Sequence, residues 1–83
     1  MIELEHKGNL LKISGRIDSI TSPEIERKLN ELLGTGIRTV LIDLSSVNYI
    51  SSAGLRVFLT IQKQLVKAAG EIIFIGVGKN IYE

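Results

Sequence analysis

Between Val40 and Leu59 the chain reads VLIDLSSVNYISSAGLRVFL, and this stretch restricts the fold more than any other. Val40, Leu41, Ile42 and Leu44 form an apolar run without clean alternation, the pattern of a strand in the interior of a sheet. Ser45, Ser46 and Asn48 then predict a polar turn, Tyr49 and Ile50 return to apolar ground, and a long amphipathic helix opens. At the junction stand Ser51, Ser52, Ala53 and Gly54. The first N–H groups of a helix lack partners and carry partial positive charge, so a hydroxyl here either caps the helix or presents its oxygen to a partner or phosphoryl donor. Both readings stand for the two serines. Ala53-Gly54 favours the second, because glycine costs a helix about 1 kcal/mol relative to alanine and fits a place where another protein comes close. Gly54 is therefore expected on the exposed side of the helix. Valine there should weaken partner binding while leaving the melting temperature within a few degrees.

The flanking segments supply the rest of an α/β domain. Ile2 to His6 and Asn9 to Ser14 predict an antiparallel hairpin about Lys7-Gly8, closed by Ser14-Gly15, with Gly15 to Asp18 as a loop that brings Asp18 near the central site. Ser22 reads as the cap of a first helix, Pro23 as its first residue, and Ile25, Leu29, Leu32 and Leu33 as its buried stripe, ended by Gly34-Thr35-Gly36. A strand from Arg38 to Leu44 completes a crossover, which should be right-handed. The second helix is expected from Ser52 to Ala69 with Leu55, Phe58, Leu59, Gln62, Leu65, Val66 and Ala69 on its core face, widened by Val57 and Ile61; Arg56, Thr60, Lys63 and Lys67 form its polar stripe. Gly70 is the expected stop, Glu71 to Val77 a fourth strand, and Asn80 with Glu83 a capping pattern for a helix that has only begun where the sequence ends. The expected fold is one domain over residues 1–83, a mixed sheet of four or more strands with helices packed against it and its C-terminal helix missing. Apolar side chains left bare by that absence, Phe74 among them, are expected to promote self-association.

Composition narrows the function. Ten basic and nine acidic residues with four aromatics do not make the basic, aromatic-rich face of a nucleic-acid binder. Without cysteine there is neither a disulfide frame nor a thiolate metal site. The charged N-terminal run offers no signal peptide, and the longest apolar runs fall far below the ~20 residues that span a bilayer. A soluble cytoplasmic protein without membrane insertion is expected. The single histidine, His6, lies in a terminal strand, so no Ser-His-Asp triad or multi-histidine metal site can form around the serines. Gly76-Val77-Gly78-Lys79 fails as a phosphate loop because Ile73 and Asn80 stand where glycine and a hydroxyl are required. Neither catalytic residue nor cofactor is expected.

The run Asp43-Leu44-Ser45-Ser46-Val47-Asn48-Tyr49-Ile50-Ser51-Ser52-Ala53-Gly54-Leu55 resembles the signature of the STAS domain, as in bacterial anti-sigma factor antagonists, D-L-S-x-V-x-x-[IM]-[DS]-S-[SA]-G-L. The hairpin, the Gly15-Arg16-Ile17-Asp18 segment, the first helix and the last strand follow the same order, so the similarity covers essentially the whole chain. The resemblance implies a partner-switching regulator. Ser52 would be phosphorylated by a partner that is both serine kinase and anti-sigma factor, binding would require the unmodified serine, and a serine phosphatase would restore it. Asp18, Ser51, Ala53, Gly54 and Arg56 would share the partner surface with Ser52. Ser51 stands where the family often has aspartate, which makes it a rival phosphoacceptor, and Ala53 replaces a serine. A rival function is a STAS subunit of a membrane transporter or lipid-trafficking complex with a structural serine; nucleotide binding is a third.

Overall fold

A two-residue turn at Gly8-Asn9, with Gly8 at φ +60°, folds β1 (Ile2–Lys7) antiparallel onto β2 (Leu10–Ile17). Two crossovers follow, through α1 (Ser22–Gly34) to β3 (Thr39–Ile50) and through α2 (Ser52–Lys67) to β4 (Glu71–Ile75). The computed structural model describes residues 2–78, so the helix expected from Asn80 lies outside the described residues. Strand order is β1-β2-β3-β4, with β3 parallel to both neighbours, giving the expected mixed four-stranded sheet. Both crossovers step the same way along the sheet. Right-handed connections then place both helices on one face, where α1 and α2 touch and share a core with Leu11, Ile13, Val40 and Ile42. The opposite face carries Lys12 and Asp43, and among the described residues no helix packs on it.

Both central strands are longer than expected. β2 does not close at Ser14-Gly15: Gly15 takes φ +109°, the register shifts on either side of it, and pairing resumes at Arg16 with Tyr49 and Ile17 with Ile50. β3 likewise runs through the segment read as a turn. Leu44, Val47 and Ile50 are buried three residues apart while Ser45, Ser46 and Asn48 are exposed, so the irregular pairing shifts the phase and keeps the apolar side chains inside. At the other end β4 stops at Ile75, where Gly76 turns with φ +73° against Ser45.

The core face of α2 also differs from expectation. Gly54, Val57, Phe58, Ile61 and Leu65 are buried; Leu59 and Val66 are 57% and 64% exposed, and Gln62 and Ala69 are exposed too. Apolar residues occupy two adjacent stripes of this helix, and the sheet takes the one centred on Ile61. Helix α1 kept its stripe, Ile25, Leu29 and Leu32, but its cap is Thr21 and Ser22 is already helical.

The end of α2 explains an awkward pair. Ala69, not Gly70, takes the left-handed conformation (φ +60°), with Ala69 N–H donating to Val66 O and Gly70 N–H to Leu65 O. Glycine is required one residue later, because a Cβ on Gly70 would collide with the carbonyl of Arg38, which accepts the first hydrogen bond of β4 from Glu71. Ala69→Gly, relieving the left-handed alanine, is expected to stabilise the domain by about 1 kcal/mol, read as a higher urea midpoint. A lower midpoint would count against this account.

Candidate functional site

The site forms where β2 and β3 end side by side. Ile17 and Ile50 are their last paired residues, both buried, and Ser51 N–H donates to Ile17 O at 2.8 Å. That bond carries the sheet into the helix: Ser51 is extended (φ −87°, ψ 172°), its carbonyl accepts from Leu55 N–H, and its Oγ accepts from Gly54 N–H at 3.4 Å. Ser51 is thus the cap. Ser52, the first helical residue, is exposed, and its hydroxyl makes no hydrogen bond among the described residues. Of the two readings left open for this serine pair, the capping one belongs to Ser51.

Gly54 points inward. It is buried, and a Cβ added there would collide with the side-chain methyl Cγ2 of Ile17 and lie 3.2 Å from that of Ile50. Its smallness lets the helix settle onto the sheet, which corrects the expectation of an exposed glycine. Ala53 is half-buried, and Arg56 is exposed one turn beyond Ser52.

Asp18 follows Ile17 directly, so the bond between Ile17 and Ser51 brings it to this end of the sheet. Its carboxylate is occupied locally. Oδ1 accepts from the N–H groups of Ile20 and Thr21 at 3.0 Å each, Oδ2 accepts from Arg16 Nε at 3.3 Å, and Thr21 Oγ1 donates to Arg16 O. The carboxylate therefore organises the start of α1, a task assigned in sequence to Ser22, whose hydroxyl instead donates to Asp18 O. These donors, the Thr21 amide foremost, hold the Asp18 pKa below the usual carboxylate value, and the Ser45 amide does the same for Asp43. A carboxylate with a lowered folded pKa lends stability above its unfolded pKa and loses it as pH falls through the folded one. Asp18→Asn is thus expected to lower the urea midpoint at pH 7 and to flatten its fall between about pH 5 and 2, with Asp43 contributing to the slope that remains. An unchanged acid profile would remove this role.

Arg16 and Tyr49 are site residues that sequence patterning missed. The guanidinium lies 3.9 Å from the centre of the Tyr49 ring while bonded to Asp18, an aromatic-cation pair beside the serines. The signal was register: each residue immediately precedes a buried isoleucine, visible only if β2 runs on to Ile17. Beyond Ser52, the outward apolar stripe of α2 lines a groove of about 290 Å³ with Ile50, Phe58, Phe74 and Val77, where Phe58 and Phe74 meet edge to face at 5.2 Å. Among the described residues no cluster of three His, Cys, Asp or Glu side chains could hold a metal, and no helix is long and apolar enough to cross a membrane.

The STAS domain profile matches residues 1–83. This chain belongs to the STAS domain family. Its curated relatives include BtrV of Bordetella bronchiseptica, 35% identical over 71 residues, and the anti-sigma-B factor antagonist of Staphylococcus aureus, 32% identical over 71 residues. Each match covers 86% of this chain, which spans 61% and 66% of the respective relative's length. Among solved structures, the unphosphorylated form of the anti-sigma factor antagonist SpoIIAA superposes with a TM-score of 0.76 at 20% identity, covering 94% of this chain and 74% of SpoIIAA, a likeness of fold. In this STAS domain the signature spans the second half of β3 and the first turn of α2, with its final serine at the exposed helical position.

Proposed function

We propose that this STAS domain acts as an anti-sigma factor antagonist, a regulator rather than a catalyst, switched at Ser52. Unmodified, it binds an anti-sigma factor that is also a serine kinase; phosphorylated, it is released, and a serine phosphatase reverses the change. The observation that carries this reading is the division of labour at the helix start: Ser51 is spent on the cap, and Ser52 stands exposed on a rigid base. The rival, a STAS subunit of a membrane transporter or lipid-trafficking complex, needs Ser52 itself to be structural, whereas the cap is made by Ser51. The Staphylococcus aureus relative's name supports the antagonist role.

The partner surface would comprise Ser52, Ala53 and Arg56, with Ser51 and Asp18 beside them and Gly54 beneath. In the transfer, Ser52 Oγ bonds to the γ-phosphorus of ATP, the bond to the bridging oxygen breaks, ADP leaves, and the hydroxyl proton passes to a base of the kinase. The test is incubation with ATP and candidate serine kinases from the same genome, followed by mass spectrometry to locate phosphate. Modification at Ser52, lost in Ser52→Ala and kept in Ser51→Ala, is expected. Phosphate on Ser51, or nucleotide binding without transfer, would overturn the reading.

A further inference from the structure

Ser52 and Arg56 are both exposed and lie four residues apart on α2, so the helix stacks their side chains on one face. Among the described residues Arg56 forms no ion pair, whereas Arg16, the other arginine at this end of the sheet, is held by Asp18 and Tyr49. Building on the reading of Ser52 as phosphoacceptor, we propose that Arg56 is the internal counter-cation of phosphorylated Ser52. The planar guanidinium matches two phosphate oxygens at once, and an acidic group N-terminal to a basic one at this spacing is the favourable orientation. Asp18 is the carboxylate near this serine, and it is occupied by Arg16 and the backbone of Ile20 and Thr21.

The pairing matters because a phosphoserine is only half through its second ionisation at about pH 6, so part of it is still a monoanion near cellular pH. By favouring the dianion, Arg56 keeps the modified site at full charge near neutrality, where a partner must be repelled. Lysine would do this less well, lacking the fork.

The experiment installs phosphoserine at position 52 by genetic encoding and follows its 31P chemical shift against pH in the otherwise unchanged protein, in Arg56→Gln and in Arg56→Lys. The midpoint is expected to lie about 0.15 to 0.4 pH unit lower with arginine than with glutamine, with lysine between, and the gap should close in high salt. Coincident midpoints for arginine and glutamine would overturn the proposal. Matching melting temperatures of the unmodified proteins check that the exposed substitution left the fold intact. Because the phosphate is installed without a kinase, failure of the wider reading shows separately, as absence of phosphate on Ser52 after incubation with ATP and kinases.

Discussion

Gly54→Val is expected to destabilise the domain by about 3 kcal/mol, and Gly54→Ala by about 1 to 2, each measured by urea unfolding. The new Cβ meets Ile17, a fully buried β-branched side chain fixed in a paired strand, and then Ile50 at 3.2 Å. Neither wall can swing aside as a long flexible side chain would, so the helix start must lift. Alanine regains about 1 kcal/mol of helix propensity, which offsets part of the collision; valine adds bulk without that gain. The assignment can be isolated by a double-variant cycle with Ile17→Ala. Removing the methyl that Cβ would strike should make the combined loss smaller than the sum by about 1 kcal/mol. Additive losses, or a Gly54→Val protein as stable as the parent, would place Gly54 back on the surface.

Gly54 also marks the limit of what can be read without coordinates. A small residue at a helix start fits close approach by a partner outside or by the sheet inside, and only the position of Ile17 decides between them. The same holds for α2, whose two adjacent apolar stripes offer two equally plausible core faces. Local punctuation was legible: the hairpin, its turn one residue later than the expected Lys7-Gly8, the stripe of α1 and the helix start at Ser52 all follow from neighbouring residues. The lengths of β2 and β3 were not, because exposed Ser45, Ser46 and Asn48 resemble a turn until pairing with β2 holds them in a strand. The site divides likewise. The serines and Asp18 could be placed together, while the capping task of Ser51 and the stacking of Arg16 on Tyr49 depend on long-range register.

Under the proposed switch, phosphorylation of Ser52 is expected to reduce affinity for an anti-sigma factor a hundredfold or more while leaving the domain folded. A phosphoserine carries about −1.5 to −2 charges, and at the first turn of α2 the unpaired N–H groups favour an anion, so the modified protein gains local support. The partner bears the cost. An interface covering this position must strip water from a dianion that one arginine only partly neutralises, or supply a further cation, and burying the uncompensated charge costs several kcal/mol, enough for the hundredfold loss. Ser52→Ala, Ser52→Asp and authentic phosphoprotein compared by thermal unfolding, amide NMR and titration against the partner would test this. Native spectra beyond the first helical turn are expected in all three, with binding retained for alanine and lost for phosphoserine. Shifts spread across the sheet, or undiminished affinity, would rule out local exclusion.

The bond from Ser51 N–H to Ile17 O joins residues far apart in sequence, and the wall beneath Gly54 is built by the same isoleucine. The pose of Ser52 therefore exists only once β2 lies beside β3. A short peptide copied from residues 43–60 carries every letter of the signature and none of this support, and isolated helices so short are marginal in water. An enzyme that recognises the serine in this pose would modify finished domains and pass over nascent or misfolded chains, so the mark on Ser52 would also certify that the chain bearing it has folded.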